Sequence, residues 1–177
     1  MRLILSGLLR YLYIPFLVFM AVIQVTVMPD FQISDGRADL VFVLVMGWTL
    51  LAGGSPGVIW ALVAGLAQDL LTGVPLGVSA LALATIAFII GQLIKRSERV
   101  FVLLTPLVIG VGTLGYHVVL MGLFIVTRQS VAISYSLIHA TLPGMILNGL
   151  LSIPVIVILG WVRRATRPRR VSALTQP

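Results

Sequence analysis

Cysteine is absent from the 177-residue chain, and only two histidines and five acidic residues are present. The first absence excludes disulfides, thiolate metal sites and cysteine nucleophiles together. The two histidines, His117 and His139, lack the four-residue helical spacing that would set two ligands on one face. No P-loop, glycine-rich dinucleotide turn, nucleophile elbow or pair of neighbouring catalytic carboxylates occurs. Nothing therefore points to an enzyme, a metal or a cofactor. Charge itself is scarce, at 10% of residues against 59% hydrophobic, a balance that keeps a chain out of water and in a bilayer.

What charge there is has a pattern. The net charge is +7, but Lys and Arg stand at the ends of apolar runs, where topology signals and lipid contacts belong, so nucleic acid is not an expected partner. Uncharged runs predict six helical segments at 11–28, 40–53, 56–72, 78–94, 100–127 and 136–162. With both termini inside, Arg2, Arg10, Lys95, Arg96, Arg99, Arg163, Arg164, Arg167, Arg169 and Arg170 are cytoplasmic. Only Arg37 and Arg128 are then outside, as the positive-inside rule requires. The first run follows Arg2 and Arg10 without a small-residue cleavage site, so it reads as a retained span. The expectation is an all-α polytopic membrane protein, a bundle of six segments. One domain covers 1–162, and a basic, disordered tail over 163–177 rests on anionic lipid.

The second and third segments are short for a hydrocarbon core of about 30 Å. Two short spans and a re-entrant pair place every other segment alike, so charge counting does not separate them. Asp39 is the expected N-cap of the second segment, and Ser55-Pro56 reads as N-cap and first position of the third. Pro106 in the fifth segment, and Pro143 and Pro154 in the sixth, predict kinks.

Asp69 is the one charge between Leu40 and Ile94. An acid in such a run normally faces protein and has a partner. Gly57, Ala61, Gly65 and Asp69 fall four apart with Gln68 beside them, giving one small, polar helix face suited to close helix approach. His139 and Arg128 are the expected partners of Asp69, from their depth in the topology. A single intramembrane acid is too little for a proton relay, so the role assigned to it is structural. Gly73-Val74-Pro75-Leu76-Gly77 predicts a tight antiparallel hairpin between segments three and four. Small-residue ridges on segments three, four and five serve packing within the chain or receive a partner helix. Asn148 is expected to orient helices through a hydrogen bond.

Several of these stretches resemble the rod shape-determining MreD family. They are Ala38-Asp39-Leu40, Gly53-Gly54-Ser55-Pro56-Gly57, Gly65-Leu66-Ala67-Gln68-Asp69-Leu70 and Gly73-Val74-Pro75-Leu76-Gly77, with Asn148 to Pro154 fitting as well. Alanine stands at 38 where the family pattern has proline. The resemblance is carried by 39–94 and elsewhere by layout. It implies a non-enzymatic scaffold of the cell-elongation machinery in the bacterial inner membrane, which supports peptidoglycan synthesis. Its implied partners are MreC, the RodA glycosyltransferase, a class B penicillin-binding transpeptidase and MreB. The resemblance also implies a fold similar to the S-components of energy-coupling-factor transporters, and hence a rival reading as a small-molecule-binding transporter subunit. Few polar groups are available to line such a pocket.

Overall fold

The computed structural model describes residues 13–30, 32–33, 36–93, 100–128 and 140–166. Among them are six helices: α1 (Tyr13–Thr26), α2 (Leu40–Ala52), α3 (Gly54–Thr72), α4 (Val78–Leu93), α5 (Val100–Val126) and α6 (Leu142–Thr166). Three, at Gly54–Thr72, Leu104–Val126 and Leu142–Arg164, are long and apolar enough to cross a membrane, and the other three are shorter apolar helices. Between α1 and α2 lie a 3-10 turn (Met28–Asp30) and a two-residue antiparallel pair. In that pair β1 (Gln32–Ile33) sets Gln32 opposite Arg37 of β2 (Gly36–Arg37). This pair was not expected from the sequence.

The short α2 is the centre of the fold. It packs against α1, α3, α4, α5 and α6, and Val41, Phe42, Val43, Val45 and Met46 are all fully buried. A helix apolar on every side is one that neighbours cover on every side. At 13 residues it is about 20 Å long, whereas the 19 residues of α3 reach about 28 Å, longer than the sequence suggested. The two meet at Gly53, whose φ of 98° breaks the helix and rules out one fused span.

Two proline expectations change. Helix α3 begins at Gly54 with Gly53 in the N-cap position and no side-chain cap, so Ser55 is not the cap, and Pro56 falls in the first turn. Pro143 is the second residue of α6, behind a π-helical Ala140 and Thr141, leaving Pro106 and Pro154 as the prolines inside helices. Helix α6 also continues through Arg163 and Arg164 to Thr166, past the expected start of the tail.

The α3–α4 interface is the most extensive in the molecule. A Cβ on Gly65 would run into the backbone of Ala80, and one on Gly54 would lie 3.2 Å from Gly91 Cα. Ala61, Ala64 and Ala87 are fully buried in the same core. The small face of α3 is therefore filled from within the chain: α4 occupies Gly65 and Gly54, and Thr49 of α2 lies against Gly57. An aromatic stack adds a second tie. Trp60 of α3 lies between Trp48 of α2 at 4.5 Å and Tyr13 of α1 at 5.8 Å, both near-parallel.

Candidate functional site

The buried polar residues gather where the α3–α4 hairpin meets the start of α2. Helix α3 ends at Gly73 in the left-handed conformation, and the Gly73 N–H donates to the Asp69 carbonyl at 3.1 Å. The chain turns through Pro75, whose carbonyl accepts from Val78 N–H at 3.3 Å, and Gly77 has a φ of 96°. This turn brings the start of α4 back over the last turn of α3. Asp69, 1% exposed, then accepts from Gly77 N–H at 2.8 Å through Oδ2 and from Ser79 N–H at 3.0 Å through Oδ1. Helix N-termini leave N–H groups unmet and carry partial positive charge, so a carboxylate there is favoured on both counts.

That arrangement corrects the expected pairing of Asp69 with Arg128. Both of its oxygens are taken by backbone donors of the following helix. Arg128 is exposed beyond the end of α5, where its φ of 56° closes the helix and its N–H donates to the Ile125 carbonyl at 3.1 Å. His139 lies outside the described residues. The unfavourable effect of the α3 C-terminus on this acid is offset by the N-terminus of α4 beside it.

Asp39 is the second acid of the cluster. It caps α2 as its position predicts, accepting from Phe42 N–H at 2.8 Å. Its own N–H donates to Asn148 Oδ1 at 2.7 Å, and Asn148 Nδ2 donates to Thr113 Oγ1 at 3.1 Å. Asn148, fully buried, thereby joins α6 to α2 and α5. Leu40 N–H donates to Gln24 Oε1 at 2.7 Å, while Gln24 Nε2 donates to the Ala38 carbonyl at 3.1 Å. The first turn of α2 is thus met from its own cap, from α1 and from α6.

Gln68 closes the cluster. It is 8% exposed, its side chain reaches Asp39, and its Oε1 has no hydrogen-bond partner. Asp39 sits in the loop before α2, and burial pushes its carboxyl up to about 6 despite the hydrogen bonds it accepts. Tyr116 of α5 feels the charge of both acids, is hydrogen-bonded to Ser79, and packs on Phe42 at 5.1 Å. Its neighbour His117 lies towards Gly144 of α6 and leaves Nδ1 without a partner. Among the described residues no three His, Cys, Asp or Glu side chains gather as a metal site.

Sequence reasoning singled out Asp69, Gln68, Gly65, Ala61, Gly73, Pro75, Gly77 and Asn148, and the fold brings these to one hairpin and its surroundings. It did not join Asp39, Ser79, Tyr116, Thr113 and Gln24 to them. The available signal was an acid in the last turn of one helix followed, across a Gly-Pro-Gly turn, by a serine in the first turn of the next.

A family model described as rod shape-determining protein MreD matches residues 5–163. The chain belongs to the MreD family. No curated protein and no solved structure matches it. The matched region contains both acids, the α3–α4 hairpin and Asn148, so the whole polar cluster lies within what the MreD family shares in extent.

Proposed function

We propose that this MreD family member is a non-catalytic membrane scaffold in the machinery that elongates rod-shaped cells. In this reading it binds MreC and acts beside the RodA glycosyltransferase, a class B penicillin-binding transpeptidase and MreB. All six helices lie in the inner membrane with both termini cytoplasmic, and the basic end of α6 rests on anionic lipid. The observation that carries the reading is the family match over 5–163. The placement of basic residues supports the orientation. Supporting a structural role, Asp69 and Asn148 are engaged at helix ends and between helices.

Because α4 covers the small face of α3, a partner helix has the outward faces to dock on. Leu66 and Leu70 on α3, and Leu81 and Phe88 on α4, are exposed there. A photocrosslinker placed in cells at Leu66, Leu81 or Phe88 is expected to capture MreC, and one at the buried Ala64 is not. Depletion should convert rods to spheres. Rod-shaped growth after depletion, together with no capture at any exposed position, would overturn the proposal. For orientation, a cysteine at Ser130 should react with an impermeant reagent in intact cells and one at Ser97 should not.

A further inference from the structure

Asp39 and Asp69 put two carboxyl groups into one largely buried region. Asp69 has a backbone donor on each oxygen. Asp39 accepts from Phe42 N–H and Val41 N–H and otherwise faces the Gln68 side chain. Beside it lies an independent anomaly, since Gln68 is more than nine-tenths buried and its amide oxygen has no donor. Buried amide oxygens without a donor are uncommon and costly. A neighbouring carboxyl group that takes up a proton supplies the missing donor.

We propose that Asp39 is a proton-binding site whose neutral form donates its carboxyl O–H to Gln68 Oε1, tying the start of α2 to the end of α3. The proton comes from solvent and adds to the Asp39 carboxylate; no other bond is made or broken. When Asp39 is ionised, the amide must turn its NH2 group to the carboxylate, and the amide oxygen is left unmet. When Asp39 is protonated, its O–H meets the amide oxygen while the other carboxyl oxygen keeps the bond from the amide NH2. Titratable groups stand on the elements packed around it. Asp69 comes from α3 and Tyr116 from α5, and both acids act on the same Tyr116. Asn148 from α6 and Ser79 from α4 do not titrate. Arg37, two residues upstream on β2, is exposed. His117 follows Tyr116 on the α6 side of α5.

The raised carboxyl fits this geometry. A shift from 3.8 to about 6 corresponds to proton binding roughly a hundredfold tighter than in an exposed aspartate. Because the folded-state value lies above the unfolded one, the contribution to stability is complete below 3.8 and lost as pH rises to about 6.

The test is infrared difference spectroscopy of the full chain in lipid nanodiscs between pH 4.5 and 7.5, reading the carbonyl stretch of protonated carboxyl groups. The expected result is a band that titrates near pH 6, disappears in Asp39→Asn and moves to higher frequency in Gln68→Leu as its hydrogen bond is lost. Asparagine preserves the cap, so the variant folds, and a melting curve verifies that. A band that persists in Asp39→Asn, or whose frequency is unchanged in Gln68→Leu, overturns the proposal. So does a wild-type spectrum that answers to sodium at fixed pH and not to pH.

Discussion

Asp39 caps the helix that follows it directly, whereas Asp69 sits in the last turn of α3 and caps α4 across the hairpin. The first arrangement is local: one helix gains an acceptor from the residue before it. The second joins two helices, since an acid at the end of α3 is unfavourable for that helix alone and becomes favourable once the start of α4 folds beside it. Two acids of the same chemistry thus do different structural work. Asp39 is tied to α6 by its backbone, through Asn148, and meets Gln68 of α3 with its side chain, while Asp69 joins two helices by its carboxylate alone.

The largest effect is expected at Asp69. Asp69→Ala leaves the Gly77 and Ser79 N–H groups without an acceptor, and unfolding in a lipid mimetic should show a loss of about 2–4 kcal/mol. Asp69→Asn keeps one acceptor oxygen and should recover about half of that. If asparagine is as damaging as alanine, then charge at the α4 N-terminus, rather than the two hydrogen bonds, is what matters. Next comes Gly65→Leu, which forces α3 and α4 apart at Ala80 and should cost about 1–3 kcal/mol, with Gly65→Ala costing less. Full stability of the leucine variant would mean that the hairpin is not closed as described. Asn148→Ala removes the acceptor of the Asp39 N–H and the bond to Thr113, for an expected loss of about 1–2 kcal/mol. The smallest loss belongs to Asp39→Asn, which should be at least as stable as the wild type near neutral pH, because asparagine is a near-equal N-cap and buries no charge. A larger loss there than in Asp69→Asn would reverse the comparison.

The sequence made helices, their order and the hairpin legible, because apolar periodicity and Gly-Pro-Gly turns act over a few residues. Asp39 as a cap was legible for the same reason. The backbone donors that meet Asp69 were not, since a sequence displays side-chain charge, and the N–H groups at the start of α4 carry no letter of their own. The central place of α2 was hidden too. Thirteen apolar residues read equally as a short span, a re-entrant arm or a core helix, and only the five helices around it decide. Nor could Ser55-Pro56 reveal that α3 starts at Gly54, as proline is tolerated throughout a first turn.

Amide hydrogen exchange at Gly77 and Ser79, in the wild-type chain and in Asp69→Ala, tests the cross-hairpin cap most directly. Both amides should be protected in the wild type and should exchange faster in the variant, together with the first turn of α4, while the α5 and α6 cores keep their protection. Equal exchange at Gly77 and Ser79 in the two proteins would contradict the account, for it would mean that the Asp69 carboxylate does not hold those groups.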